Sequence, residues 1–234
     1  MTLAQNSCDK IFSKNSMKKT QKKIIQTAIQ LFNKNGVANV RVQDIAVAAG
    51  ISPGNLTYHY KTKKDLMEGV LRYMILIQKE IFPYQSIVEA PSWTALVLTY
   101  LKFQIQFRFF YRDILEIANL IPESKAQYQK QIEGVINFNK NGIDLSVQKG
   151  FMIPEPHEGH YQALATHAWA ILNAWLTVRE VLGEEIANFR RGIYGLLELH
   201  YPYLTKEGKI EHYQLKQQIP ELVKTEKELF ELMD

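Results

Sequence analysis

The stretch that most constrains this chain is residues 42–60, VQDIAVAAGISPGNLTYHY. Val42, Ile45, Ala46 and Ala49 recur at helical spacing and make one apolar face. Gly50 follows where a left-handed helix stop is easiest. Ser52 is a good N-cap, and Pro53 suits the first helical position, whose N–H has no helical partner. Leu56 and Tyr60, at i and i+4, give the second helix its buried side. Its outer side is left with Pro53, Gly54, Asn55, Thr57, Tyr58 and His59, a face of small, polar and aromatic groups without a carboxylate. A helix that enters a DNA groove needs such a face.

The charge distribution points the same way. Residues 1–72 hold 12 Lys/Arg against 4 Asp/Glu, whereas residues 73–234 hold 16 against 20. Positive charge is concentrated around the two short helices, as expected of a nucleic-acid-binding domain joined to a differently employed one. The N-terminal arm accounts for Lys10 to Lys19 but not for Arg41, Lys61, Lys63 and Lys64. With 46% hydrophobic residues the chain can build a real core. The one cysteine, Cys8, cannot form an internal disulfide, which suits a reducing cytoplasm. No signal peptide is expected. The most apolar stretch, ALATHAWAILNAWL, is interrupted by His167 and Asn173 and reads as a buried helix, so no membrane partner is expected.

Taken in order, residues 1–19 read as a flexible arm. A first helix is expected from Thr20 to Asn35, stopped by Gly36, with Ile24, Ile25, Ala28, Leu31 and Phe32 buried. The short helices follow at Val42–Ala49 and Pro53–Tyr60. Thr62 then caps a fourth helix, with Asp65 placed to complete a capping box. That helix runs to a loop at 83–92, and a shift at its far end would move the reading head. Beyond it the pattern predicts helices at Trp93–Tyr111, Asp113–Leu120, Glu123–Lys149, Tyr161–Leu182 and Glu184–Leu199. A further one is suggested in 205–234 by Leu222, Leu229 and Leu232. No strand pattern and no internal repeat occur.

Residues 42–63 resemble the DNA-binding segment of the TetR family of bacterial regulators. The family pattern is roughly D/E-I-A-x-x-A-G-(V/I)-S-x-G-x-L-Y-x-H-(F/Y), with a Lys three positions later. Asp44, Ile45, Ala46, Ala49, Gly50, Ile51, Ser52, Gly54, Leu56, His59, Tyr60 and Lys63 match it in register. Thr57 stands where the pattern has Tyr, and Arg41 where a Ser or Thr usually precedes the helix. The resemblance covers about residues 20–72. It implies an all-α protein: a flexible arm (1–19), a three-helix helix-turn-helix DNA-binding domain (20–65) and a helical effector-binding and dimerisation domain (66–234). It also implies a homodimer joined by a four-helix bundle from the last two long helices, and a small-molecule cavity whose occupation shifts the fourth helix.

The candidate DNA contacts are Arg41, Gln43, Ser52, Pro53, Gly54, Asn55, Thr57, Tyr58, His59 and Lys63. Asn55 could pair with adenine, and the Thr57 methyl could meet a thymine methyl. Lys63, in the first turn of the fourth helix, is placed to clamp a phosphate. For an effector, expected to be largely apolar, the candidates are Phe103, Phe107, Phe110, Asn119, His167 and Trp169, with Gln104 and Asn173 as further polar groups on apolar helices. The three phenylalanines fall on one face of the predicted helix 93–111, although aromatic residues also dominate ordinary cores. The candidate dimer contacts are Ile171, Trp175, Ile193 and Leu197. Gly192 and Gly195 make sense if a helix approaches closely.

The sequence carries no Gly-rich phosphate loop, no Cys pair for zinc and no Glu-x-x-His pairs on facing helices, so no cofactor, metal or catalytic residue is assigned. His157 and His160 lie among Pro154, Pro156 and Gly159 and read as a surface loop. The expectation is a cytoplasmic, ligand-responsive, homodimeric repressor of transcription acting on a palindromic operator in double-stranded DNA, and not an enzyme. The competing readings are a helical binding protein whose helix-turn-helix docks a protein partner, and a helical enzyme using the aromatic cavity.

Overall fold

The structure is a computed structural model and describes residues 17–81, 93–183 and 189–222. Most of the expected arm with Cys8, the loop at 83–92, the helix start at Glu184, and Leu229 and Leu232 lie outside those residues. The helices are α1 (Lys19–Asn35), α2 (Val42–Ala48), α3 (Pro53–His59), α4 (Lys63–Ile81), α5 (Trp93–Gln106), α6 (Arg108–Arg112), α7 (Ile114–Leu120), α8 (Lys125–Gln148), α9 (His160–Val181), α10 (Phe189–His200) and α11 (Lys206–Leu222). Among the described residues the only strand-like pairing is an isolated antiparallel bridge between Met152 and Leu204. The all-α expectation holds.

The chain divides into two units. The described residues up to Ile81 pack with Phe107–Lys125, and Trp93–Gln106 packs with the residues from Ala126 onward. The expected division at residues 65 and 66 differs from this: α4 and the segment 107–125 share the core of the helix-turn-helix.

In the first unit, Ile24, Ile25, Ala28 and Phe32 of α1 are buried with Ile45 and Ala46 of α2, Leu56 of α3, and Leu66, Met67 and Val70 of α4. Burying each large aliphatic or aromatic side chain contributes about 1.5–3 kcal/mol. Gly36 and Gly50 both have positive φ, at 83° and 61°, as their helix-stop positions require. Gly69 has a different reason: a Cβ there would lie 2.7 Å from the Tyr60 ring, so the missing side chain admits that ring.

One predicted helix is broken. Residues 93–111 do not form a single rod; Phe107, at φ −114° and ψ 33°, separates α5 from α6. The turn lets Phe109 stack on Phe32 at 5.5 Å and places its N–H 3.0 Å from Asn33 Oδ1. Packing and an amide hydrogen bond outweigh the lost helical continuity. Phe103, Phe107 and Phe110 therefore do not share one helical face.

In the second unit, Leu101 and Ile105 of α5 pack with Ala168 and Leu172 of α9, Ile193, Leu196 and Leu197 of α10, and Ile219 of α11. A Cβ on Gly192 would stand 3.3 Å from both Leu101 and Trp175, so the expected close helix approach at this glycine occurs within the chain. A smaller core gathers Ile143, Met152, Tyr161, Leu164 and Ala165. The segment after α8 is tied to the start of α11. Ile153 N–H donates to the Tyr203 carbonyl (2.9 Å), and Thr205 N–H donates to the Phe151 carbonyl (3.0 Å). A Cβ on Gly208 would fall 1.9 Å from the Phe151 oxygen, so only glycine fits. The helix suggested after residue 205 is thus present to Leu222 and anchored at its first turn.

Candidate nucleic-acid interface

Each short helix of the turn is capped by its own sequence. Ser52 Oγ accepts from Asn55 N–H at 3.2 Å, closing the first turn of α3, and Pro53 occupies its first position. At α2 the N-cap is Arg41, whose side chain has no acceptor. Asp44 supplies the other half of the box, its carboxylate accepting from Arg41 N–H at 2.9 Å. At α4 the box is complete: Asp65 N–H donates to Thr62 Oγ1, and Thr62 N–H donates to the Asp65 carboxylate, both at 3.0 Å.

These caps leave a bare outer surface. Arg41, Gln43, Ser52, Pro53, Gly54, Asn55, Thr57 and Tyr58 are all exposed, and His59 is half-buried. Tyr58 is 78% exposed, with its ring edge-on to His59 at 5.2 Å. An aromatic held that far into water does nothing for the core. Thr57 turns its hydroxyl onto the Pro53 carbonyl at 2.9 Å, an i−4 bond within its own helix. Gly54 has open space around it, so nothing in the protein itself excludes a side chain there. On the buried side, loss of water raises the Tyr60 phenol above its ordinary range, with Arg72 opposing.

The basic residues divide by role. Lys63 was expected at a phosphate. Its ammonium instead donates to the carbonyls of Val37 (2.5 Å) and Ala38 (3.3 Å) and is half-buried. Lys64 is ion-paired with Glu123, a hydrogen bond that holds it above the ordinary lysine range. Lys61 and Lys23 are exposed, and Lys23 Nζ lies 3.9 Å from the point a Gly50 Cβ would occupy, beside the turn that leads into α3. Val47, 77% exposed on α2, also belongs to this surface. Lys23, near the start of α1, suits a phosphate contact on sequence alone, whereas helical periodicity could not select Val47, because its place depends on how α1 and α2 cross.

The effector candidates fall in both units. Phe103, His167 and Trp169 belong to the second; Phe107, Phe110 and Asn119 belong to the first. Phe103, Phe107 and Phe110 are buried, with Phe107 edge-on to Tyr73 at 6.5 Å. Asn119 and His167 are exposed and so line no buried apolar site within this chain; Trp169 is half-buried. Of the polar candidates, Gln104 in the second unit is fully buried. Its Nε2 donates weakly to Asn173 Oδ1 at 3.4 Å, and its Oε1 has no partner.

The dimer candidates need a correction. Ile193 and Leu197 are 0% and 5% exposed, because the apolar face of α10 is spent on α5 and α9 of the same chain. Ile171 is 39% exposed and Trp175 is half-buried. Exposed apolar groups on α9 run through Ala163, Ala170, Ile171, Ala174, Val178 and Val181, with His167 in the same row. On α10 the exposed row is Arg191, Gly195 and Glu198, and the space around Gly195 is open.

Two family models match the chain. Residues 24–70 match the model of bacterial regulatory proteins of the tetR family, and residues 81–211 match the model of a bacterial transcriptional repressor. A probable HTH-type transcriptional regulator of Bacillus subtilis, YttP, is 27% identical over 118 residues, which are 47% of this chain and 57% of that protein. A TetR-family transcriptional regulator from Marinobacter aquaeolei has a crystal structure that superposes with a TM-score of 0.75 at 24% identity, over 86% of this chain and 98% of the other. The SmeT–triclosan complex superposes with a TM-score of 0.56 at 16% identity, over 81% and 93%. These structural likenesses concern the fold.

Proposed function

The chain belongs to the TetR family of bacterial transcriptional regulators, and from that premise we propose that it is a homodimeric, effector-responsive repressor that reads a palindromic operator with α3. The observation that carries this is the outer face of α3: capped, free of carboxylates, and holding a tyrosine 78% exposed to water. Two copies of α3 would enter successive major grooves about 34–36 Å apart. Asn55, Thr57, Tyr58 and His59 would meet base edges or phosphates. Arg41, Gln43, Ser52 and the exposed Lys61 and Lys23 would hold the backbone and set the register. Gly54 would let the duplex approach.

The dimer would form along α9, with α10 beside it. Small and apolar residues at Ala163, Ala170, Ala174 and Val178 would let a second copy pack closely, and Gly195 supports that arrangement. An effector would bind in the second unit. Gln104 supports an uncharged, largely apolar molecule there, because its unpartnered oxygen offers one hydrogen bond among apolar neighbours. A structural neighbour, SmeT, forms a complex with triclosan. Among the described residues no helix is long and apolar enough to cross a membrane, and a regulator of this kind would work in the cytoplasm without catalysis.

The test is selection of bound duplexes from a random DNA pool at two salt concentrations. An enriched palindrome, bound more weakly at high salt, is the expected result. Salt-dependent binding without enrichment would replace the reading with non-specific DNA binding. No binding at either salt would replace it with protein docking by the helix-turn-helix.

A further inference from the structure

The closing turn of α1 and the connection to α2 are held from a distant part of the chain. A helix end leaves its last carbonyls without intrahelical partners. At α1 the Arg112 guanidinium takes one of them, Nη1 donating to the Asn33 carbonyl (3.2 Å), and its Nη2 adds a second donor (2.8 Å) to the Phe32 carbonyl, which already accepts from Gly36 N–H (2.9 Å). Its Nε donates to Asp113 Oδ1 at 3.0 Å, which keeps the planar fork in place. Asp113 Oδ2 accepts from Val37 N–H at 2.8 Å, just beyond the helix. The exchange is reciprocal, since Asn33 of α1 caps Phe109 N–H at the start of α6. On the other side of the connection, Lys63 takes the carbonyls of Val37 and Ala38.

We infer that Arg112 and Asp113 are positioning residues for DNA binding: from the far end of α6 they fix the α1–α2 connection, and so the direction in which α2 and α3 are presented, without touching DNA themselves. Val37 carries the consequence. Its N–H is held by Asp113 and its carbonyl by Lys63, and the side chain is fully buried. Four residues later Arg41 caps α2. A connection this short transmits any shift at Val37 directly into the reading helices. Both side chains are mostly shielded from water, Arg112 at 25% and Asp113 at 14% exposure, so their pairing is screened less than that of a surface pair. Lys63 takes on the same role, which explains why its ammonium faces carbonyls rather than solvent.

The inference rests on the reading that α3 binds DNA, and the experiment separates the two. Wild type, Arg112→Ala, Asp113→Ala and Asp113→Asn are compared for affinity to a duplex enriched from the random pool at two salt concentrations. Helical content is checked by circular dichroism, and exchange of the Val37 amide is followed by NMR. Both alanine variants are expected to stay folded, to exchange the Val37 amide faster, and to bind about tenfold or more weakly, as loss of hydrogen bonds to charged groups implies. The salt slope should be unchanged, because no phosphate contact is removed. Asp113→Asn keeps an acceptor for Val37 N–H and should recover most of the affinity. Should Arg112→Ala fail to fold, Arg112→Lys, which keeps the charge but not the fork, carries the same expectation. Unchanged affinity in a folded variant whose Val37 amide exchanges freely would overturn the positioning role alone. A reduced salt slope would overturn it in favour of direct phosphate contact. A wild-type chain that enriches no duplex would overturn the DNA-binding reading and the positioning role with it.

Discussion

Tyr58 and Gly54 are set by opposite constraints. Tyr58 is 78% exposed and touches the half-buried His59 ring edge-on, so Tyr58→Ala should change stability by no more than about 0.5 kcal/mol while weakening DNA binding; matched urea unfolding and DNA titrations check this, and unchanged affinity would remove Tyr58 from the interface. Gly54→Ala should stabilise the free protein by up to about 1 kcal/mol, since alanine suits a helix better and the space is open. If the glycine is there for the duplex, the same variant binds DNA less tightly. A variant that is both more stable and equally tight on DNA would leave Gly54 without a functional reason. Lys63 shows why residue type is not role. A lysine at a helix start suits a phosphate, but its four-carbon stem also reaches the Val37 and Ala38 carbonyls, and those contacts are visible in distances rather than in sequence.

At the scale of elements, caps were legible and breaks were not. Thr62 and Asp65 were readable as a capping box because both partners lie within one turn, and the structure forms it. Asp65→Ala should cost about 1 kcal/mol, seen as a lower urea midpoint at unchanged slope. The break at Phe107 had no local signal: FQIQFRFFYR contains neither proline nor glycine, and its aromatics suit a continuous helix. The gain that breaks it comes from Phe32 and Asn33, more than seventy residues away in sequence. The same limit applies to α10, whose apolar periodicity showed that one face is buried but not against what. Ile193 and Leu197 went to the chain's own core, and the exposed stripe on α9 is the surface proposed for a second copy.

For the whole molecule, that stripe predicts assembly. Val178→Glu should turn a dimer into a monomer in sedimentation, and a variant sedimenting like wild type would move the interface elsewhere. Acid stability is a second molecular property. Burial holds the His200 imidazole below the ordinary histidine range, with the Leu196 carbonyl opposing. The unfolded chain therefore takes up the proton first. The contribution is present above the ordinary value of about 6.5 and is lost as pH falls below it toward the folded-state value. Urea midpoints measured from pH 7.5 downward should fall, and His200→Gln should flatten that fall. The helix-turn-helix, its caps, its carboxylate-free outer face and the all-α class could be read from the chain in order, because each depends on residues within a few positions of one another. Where Arg112 and Asp113 point, which lysines stay free, where the 93–111 helix breaks and which apolar face remains uncovered depend on helices distant in sequence meeting in space. Local periodicity carries no record of that pairing.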